Sequence, residues 1–428
     1  MDSGNITWLL LASCLAFLVV PGIAFFYGGL VRVKSILNMI MLSVGSIVVT
    51  GLVWVLWGWS VAFGGGNGAG IAGNPFAGFL LHDAIGSKDG QFVAFDSKGS
   101  LYSCIGIAFE CVLAMIAIAV VSGAVAERVK FSTWLVFVAV WVTVVYAPLA
   151  HMEWNPSGLL SSDGALSQAI GAHTSDIAGG ALIGVGSAVS ALMIVLIIGR
   201  RRGFQFVPMK PHNLPLTMLG AFLIWFGCFG LTTGSAVQAG GSAGYAWLNT
   251  VVCASAATLA WLGVERLRTG HFTALGAASG MVTGLVAILP GVTVMSPLWA
   301  LVTGVLAGIA ACLSVSAKYR LGYDDSLDVV AVNGVGGIVG LLATGLFANG
   351  SGLLVGGGIR LLFAELVLIC FVILYAGVLT GLIAFGLEKT LGWRVGETEE
   401  LAGIDIVDQG ERAYDFEDSM NSVIKEAK

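Results

Sequence analysis

Ionisable side chains are rare within the long apolar runs of this chain, so each one is a candidate for chemistry. Glu110 and Glu365 lie inside such runs, and Asp176 opens another. A carboxyl group in apolar surroundings is costly to bury and therefore often marks a functional site. The alternative for Asp176 is a helix cap, because an acidic residue at a helix N-terminus accepts backbone N–H groups. A buried cap can also keep a neighbouring cation site negative, so the two interpretations are compatible.

Enzymatic chemistry finds little support in the sequence. It shows neither a nucleophile paired with a base nor a cluster of metal ligands, so we expect no enzymatic activity, metal or cofactor in this chain. The stretch 64–74, GGGNGAGIAGN, lacks the helix-leading lysine of a phosphate-binding loop. A signalling enzyme domain following Lys428 in a longer natural protein would be compatible with this expectation.

Composition indicates which elements position these residues. The 428 residues are 57% hydrophobic and 11% charged, whereas soluble domains average about a quarter charged. A soluble fold could not bury so much apolar surface, and the runs do not alternate as barrel strands do. The sequence therefore predicts an all-α protein embedded in the lipid bilayer. A net charge of −5 without a basic stripe gives no support for nucleic-acid binding.

Eleven apolar runs are long enough to be membrane-spanning helices. They cover residues 6–30, 36–63, 102–122, 132–150, 176–199, 214–233, 247–265, 273–290, 297–316, 330–348 and 359–388. We predict a membrane domain at 1–388 and a polar, acidic tail at 389–428 on the cytoplasmic side.

Basic residues fix the predicted orientation. All of the 20 lysines and arginines except Lys88, Lys98 and Arg360 lie in the odd-numbered loops or the C-terminal segment. Positively charged loops stay in the cytoplasm. The sequence therefore predicts a multi-pass protein of the inner (plasma) membrane, with its N-terminus outside and its C-terminus in the cytoplasm.

A weak internal repeat accompanies this topology. The run Asp176–Gly184 reads DIAGGALIG and the run Asp325–Asn333 reads DSLDVVAVN, each starting with aspartate. One run starts outside and the other inside, as in an inverted repeat. This pattern favours five helices, five inverted helices and one long C-terminal helix.

At these residues the chain resembles the ammonium transporter family (Amt/Mep/Rh). The resemblance is carried by PGIAFFYGGLVRVKSILNM (21–39), SGAVAERVKFS (122–132), YAPLAHMEWNPSGLL (146–160), DIAGG (176–180), KPHNLP (210–215), TTGSA (232–236) and DDSLDVVAVNGVGGIVG (324–340). These stretches occur in family order. The resemblance implies an eleven-helix fold, a homotrimer and one narrow path in each subunit.

The resemblance also implies an ammonium site in an outer vestibule. Trp154 would offer a π face, Ser235 a hydroxyl acceptor and Phe109 a further aromatic wall, while Asp176 would stabilise the site indirectly. A small cation over tryptophan gains about 2 kcal/mol when partly desolvated, and a hydroxyl oxygen accepts an N–H. Taken alone, Trp154 could equally be an aromatic residue of the membrane interface.

The chain departs from the family where transport takes place. Leu113 and Leu231 stand where the family has two stacked phenylalanines, and Gly184 and Asn333 stand where it has two pore histidines. Neither glycine nor asparagine titrates, so this pair cannot relay a proton through its side chains. Glu110 replaces a residue that is usually neutral, and would either raise cation affinity or remain a neutral, hydrogen-bonded carboxyl between helices.

The C-terminal segment adds a second clue. Residues 394–415 resemble the family's cytoplasmic tail, on which many members dock a PII-type regulator. The chain continues with Phe416, Met420, Val423 and Ile424 at the spacing of an amphipathic helix. This extension is either a short solvated tail or a connector to a fused signalling domain. We therefore expect an ammonium sensor with little or no transport; the alternative is an ammonium transporter or channel with an atypical pore.

Overall fold

The computed structural model describes residues 3–65, 69–82, 85–88, 91–94, 104–207 and 209–414. The amphipathic helix predicted from Phe416 to Ile424 lies outside these residues, and so does the last part of the predicted tail. Everything below concerns the described residues.

The fold is a bundle of apolar helices, as the composition predicts. The helices are α1 (Ser3–Leu30), α2 (Val33–Phe63), α3 (Cys104–Val125), α4 (Phe131–Trp154), α5 (Gly180–Ile198), α6 (Leu214–Gly234), α7 (Gly241–Thr269), α8 (Ala274–Ile288), α9 (Pro297–Leu321), α10 (Val330–Phe347) and α11 (Arg360–Thr390). All but α8 are long and apolar enough to cross a membrane, which gives ten candidate spans among the described residues.

Each predicted apolar run coincides with one of these helices, but the count of eleven crossings stays a prediction. The helix α8 has 15 residues, which at 1.5 Å per residue is about 22 Å. A bilayer core of about 30 Å needs roughly 20 residues. The described residues also contain one small hairpin, β1 (Ile85–Lys88) and β2 (Gln91–Ala94), in which Ile85 lies opposite Ala94.

Several helices are interrupted where the sequence gives a physical reason. The α1 helix breaks at Leu18, because Pro21 has no N–H to donate to the carbonyl of the residue four positions earlier. The helices α5 and α10 start with π-helical turns, Gly180–Gly186 and Val330–Val335. Such wide turns are rare and often lie at functional sites.

These two π-helical turns share a capping arrangement that supports the repeat. Both carboxylate oxygens of Asp176 accept backbone N–H groups, from Gly180 at 2.5 Å and from Ala181 at 2.7 Å. Likewise, Asp325 accepts the N–H of Val330 at 2.7 Å. The predicted start of the fifth helix at Asp176 was wrong, because this aspartate lies four residues before α5 and caps it from outside.

Small residues let the first helix of each half approach closely. A Cβ atom on Gly220 of α6 would lie 2.1 Å from the backbone nitrogen of Phe26, and one on Gly29 of α1 would lie 2.4 Å from Oγ1 of Thr217. Neither position could carry a side chain without moving the backbone. In lipid, such close packing and its dispersion contacts replace the hydrophobic effect as the force between helices.

The tail packs on one end of the bundle, which we call the tail side. Asp405 accepts the backbone N–H groups of Leu37 (3.1 Å) and Asn38 (2.9 Å), and Asp408 accepts that of Phe131 (2.8 Å). Asp405 therefore caps the α-helical part of α2 (Ile36–Val53) and Asp408 the first turn of α4, where N–H groups have no partner within the helix.

Candidate functional site

A cavity of about 400 Å³ opens at the end of the bundle opposite the tail. Among its lining residues are Phe109, Glu110 and Leu113 of α3, Trp154 at the end of α4 and Ser235 just after α6. We call this cavity the vestibule. The fold thus brings together residues from three separate parts of the sequence that were predicted to bind ammonium.

A backbone contact fixes the ring of Trp154. Its indole Nε1 donates to the carbonyl oxygen of Asp176 at 2.9 Å. Gly179 adopts a left-handed conformation (φ +86°), and a Cβ there would lie 3.4 Å from the indole. Gly180 packs against the ring of Pro290, which a Cβ would approach to 2.3 Å. The left-handed backbone at position 179 and the close contact with Pro290 at position 180 therefore both favour glycine in DIAGG.

Ser235 presents an oxygen that can accept a hydrogen bond. Its Oγ donates its own hydrogen to the carbonyl of Leu231 at 2.8 Å, so the oxygen lone pairs remain available for an N–H group. The ring of Phe109 packs on Gly234, where a Cβ would lie 2.5 Å from the ring. The glycine before Ser235 thus allows an aromatic side chain and a hydroxyl to share one wall.

The carboxylate of Asp176 does not line the vestibule. It is 4% exposed and points at the N-terminus of α5. Burial raises the pKa of Asp176 to about 6, although hydrogen bonds from Ala181 and Gly180 act in the opposite direction. The residue therefore contacts Trp154 through its backbone carbonyl and caps the helix that follows; its indirect role in ammonium binding stays a prediction.

Glu153 is a vestibule residue that the sequence analysis missed. It precedes Trp154, is 8% exposed, and accepts a hydrogen bond from the hydroxyl of Thr174 at 2.6 Å. Its other carboxyl oxygen has no partner among the described residues, and the same holds for one oxygen of Glu110. The signal was present in the sequence, since Glu153 is an ionisable residue at the end of an apolar run.

Glu365 lies apart from the vestibule lining. This α11 residue is fully buried, and one of its carboxyl oxygens accepts the backbone N–H of Ser175 at 2.8 Å. It therefore holds the segment that leads into the Asp176 turn.

A second, smaller cavity of about 40 Å³ lies deeper in the bundle, and we call it the inner cavity. Its lining is mostly aliphatic, and includes Ile183, Leu231 and Val286; Tyr27 and Asn333 also face it. Leu113 lines the vestibule and Leu231 lines the inner cavity. The two leucines thus stand on either side of the boundary, where the resemblance places stacked phenylalanines.

Gly184 and Asn333 lie next to each other, as their matched positions predict. A Cβ on Gly184 would lie 3.4 Å from the backbone oxygen of Asn333 and 3.0 Å from Cγ1 of Val286. Asn333 lines the inner cavity, whereas Gly184 is not among its lining residues. Any side chain at position 184 would therefore press on Val286.

A third cavity, of about 490 Å³, opens on the tail side and shares Leu327 with the inner cavity. Its lining includes Arg201, Lys318 and Asp328. Lys318 and Asp328 form an ion pair at 2.6 Å. The vestibule, the inner cavity and this tail-side pocket occupy successive depths of the bundle. No group of histidine, cysteine and acidic side chains in the described part of the chain is arranged to hold a metal ion.

A bundle of membrane-length helices with cavities at successive depths defines a multi-pass helical membrane protein. The model of the Ammonium Transporter Family matches residues 7–414. The chain is 42% identical to an "Ammonium transporter" of Mycobacterium tuberculosis (strain H37Rv), over 99% of this chain and 92% of that protein. It is 39% identical to an "Ammonium transporter" of Aquifex aeolicus, over 97% and 94%. The chain therefore belongs to the ammonium transporter family.

Solved structures agree with this assignment. The fold matches a structure described as "Sensor Amt Protein" with a TM-score of 0.85 and 26% identity, over 95% of this chain and 98% of that one. It also matches Saccharomyces cerevisiae Mep2 with a TM-score of 0.80 and 28% identity, over 93% and 91%.

Proposed function

We propose that this protein binds ammonium in the vestibule. The π face of Trp154 attracts the cation, the oxygen of Ser235 accepts one of its N–H groups, and Phe109 closes the wall beside them. Membership of the ammonium transporter family supports this substrate, and the vestibule geometry supports these residues. Cation–π attraction is worth about 2 kcal/mol in a partly desolvated site, which predicts moderate affinity.

We further propose that the bound ammonium is sensed, with little or no transport. The observation that carries this proposal is the pairing of Gly184 with Asn333 inside the bundle. Within the described residues, neither a carboxyl group, an imidazole nor an amine lines the inner cavity. A bare cation pays a high desolvation cost in such surroundings, and no side chain there exchanges protons near neutral pH.

The output in this proposal is a conformational change at the tail. Helix α3 connects the two regions, because Phe109 and Glu110 line the vestibule and the segment after α3 contacts the tail. There, the N–H of Val395 donates to the carbonyl of Arg128 at 3.1 Å. The proposal includes a homotrimer in the inner membrane with the tail in the cytoplasm. A PII-type regulator or a fused signalling domain would then read the tail.

The second candidate is an ammonium transporter with an atypical pore. The names of the relatives favour it, and so does the inner cavity, which provides space between the vestibule and the tail-side pocket. In this case ammonium or ammonia would pass without a histidine relay.

Current recording distinguishes the two candidates. The full chain is reconstituted in liposomes and challenged with ammonium chloride, while calorimetry measures binding to the same preparation. The sensor proposal expects binding heat without current, and robust, saturable current would contradict it. The double variant Gly184→His/Asn333→His tests whether conduction requires only that the two pore histidines be restored. Current in that variant would show that the rest of the path is open. Absence of current would indicate that Val286, Leu113 and Leu231 block the path.

A further inference from the structure

Glu110 brings a buried carboxyl group to the wall of the vestibule, directly after Phe109 on α3. The residue is 6% exposed, and its Oε2 atom has no hydrogen-bond partner in the described part of the chain. The described residues that line the vestibule include neither a lysine nor an arginine. The vestibule wall therefore offers an ionised Glu110 no permanent positive charge.

The elements packed around Glu110 bring mostly neutral or acidic groups. The described parts of α1 and α5, and Ile36–Val53 of α2, carry no charged side chain. Tyr146 of α4 interacts electrostatically with Glu110, and its hydroxyl also has no hydrogen-bond partner among the described residues. Glu153 lines the same cavity, together with the imidazole of His173.

Burying an unpaired carboxylate is costly, so a carboxyl group in this position keeps its proton when no cation is beside it. An opposite charge at close range favours the ionised form. An ammonium ion between Trp154, Ser235 and Glu110 would supply that charge. It would also donate an N–H to the carboxylate, as ionised acceptors form the stronger hydrogen bonds.

We propose that ammonium binding in the vestibule displaces one proton from Glu110. The O–H bond of the carboxyl group breaks, its proton passes to water at the vestibule mouth, and the carboxylate accepts an N–H bond from an ammonium ion that keeps all its hydrogens. One positive charge enters and one leaves, so the buried site stays close to neutral. This inference rests on the proposed ammonium site and adds that the site senses the ratio of ammonium to protons.

Proton displacement predicts a characteristic pH dependence. When binding releases one proton, ammonium affinity rises about tenfold for each pH unit over the range in which the empty site is protonated. Without Glu110 ionisation, affinity is independent of pH while ammonium itself stays protonated. The effect differs from general salt screening, because it changes with pH at constant ionic strength.

Titration calorimetry of the purified full chain with ammonium chloride tests the proposal. Binding heat is measured at one pH in two buffers of different ionisation enthalpy, which counts the protons released. The affinity is then measured across the mildly acidic to neutral range. We expect about one proton released by the wild-type protein, and close to none by Glu110→Gln, which has nearly the same shape. Glu153→Gln removes the other carboxyl group of the same cavity, which also has an oxygen without a partner among the described residues, and the proposal expects this variant still to release one proton.

Each outcome has a distinct meaning. Ammonium binding without proton release, or release that persists in Glu110→Gln, would overturn the coupling and leave the ammonium site intact. Loss of release in Glu153→Gln would assign the proton elsewhere and likewise overturn it. If Glu110→Gln does not fold, the pH slope of the wild-type affinity decides, and a flat slope contradicts the proposal. Absence of any binding heat in the wild-type protein would instead reject the proposed function.

Discussion

Two buried acidic regions of this protein differ in how their charges are paired. On the tail side, Asp324 contacts Arg128 at 2.8 Å and Arg201 at 2.9 Å, and Glu127 contacts Arg201 at 2.9 Å. In the vestibule, one carboxyl oxygen of Glu110 has no hydrogen-bond partner among the described residues. The contrast indicates different roles. Paired charges hold the loops of the tail side together, whereas the unpaired carboxyl group is available to a cation.

The pairing also shows in the titration of the tail-side groups. Burial alone would raise the pKa of Asp324, but hydrogen bonds from Arg201 and the charges of Arg128 and Arg201 hold that pKa below its usual range. The pKa of Glu127 is lowered in the same way, by Arg201 and Arg32 acting against burial. Because both pKa values are depressed by folding, their stabilisation is present at neutral pH. It is lost as the pH falls below about 4, through the folded-state values.

The largest effect is expected from breaking the paired region. Asp324→Asn leaves Arg128 buried without its carboxylate and Arg201 with Glu127 alone, and breaking such a buried pair typically costs about 3–5 kcal/mol. Thermal melting in detergent should show a large drop. The matched control is Glu397→Gln, because Glu397 and Arg202 form an ion pair in which both side chains are exposed and such pairs contribute about 0–1 kcal/mol. Equal melting temperatures for the two variants would contradict the distinction.

The next effect concerns the vestibule. Trp154→Leu removes a cation–π contact of about 2 kcal/mol, so ammonium affinity should fall tenfold or more. Calorimetry measures the change. Trp299→Leu is a suitable control, because Trp299 stacks on Phe347 at 4.2 Å and does not line the vestibule. If Trp154→Leu bound ammonium normally, the site would have to lie elsewhere.

A smaller effect on ammonium affinity is expected from Asp176, which caps α5 and contacts Trp154 through its backbone carbonyl. Asp176→Asn keeps one acceptor oxygen but loses the N–H bond of either Gly180 or Ala181, and hydrogen bonds to charged groups contribute about 1.5–3 kcal/mol. Amide exchange at the start of α5 should accelerate. Ammonium affinity should fall less than in Trp154→Leu, because the variant keeps the backbone carbonyl that holds the indole. Exchange at the wild-type rate would argue against the cap.

The smallest effect is expected where the tail meets the membrane helices. Asp405→Asn removes the charge that caps α2, and helix caps contribute about 0.5–2 kcal/mol. The tail should become more sensitive to protease, while the melting temperature changes less than in Asp324→Asn. Asp408→Asn, which alters the cap of α4, serves for comparison. A tail equally resistant in all three proteins would show that its docking does not depend on these caps.

Particular residues show how far the sequence could predict the site. Trp154 and Ser235 lie in stretches that carry the family resemblance, Phe109 matches an outer aromatic of the family, and the structure places all three around one cavity. Glu153 was not predicted because it lies at a helix end, where charged residues are common and do not by themselves indicate a site. Its importance depends on Thr174, a partner 21 positions further along the chain. The hydrogen bond from Trp154 to the backbone carbonyl of Asp176 could not be predicted either. Nearly every residue has such a carbonyl, and the sequence does not show which one a side chain will contact.

The sequence by itself determined that the chain forms apolar helices, since the length and continuity of its hydrophobic runs depend only on local composition. It also determined that positions 184 and 333 cannot relay protons, because that is a property of the residue types. Only the tertiary structure decided which carboxyl groups are paired. Arg201 contacts both Glu127 and Asp324, which are distant from it in the chain, while one oxygen of Glu110 has no partner in the part of the chain that the structure describes. Pairing depends on distances between side chains from different parts of the chain, and those distances follow from packing rather than from the order of residues.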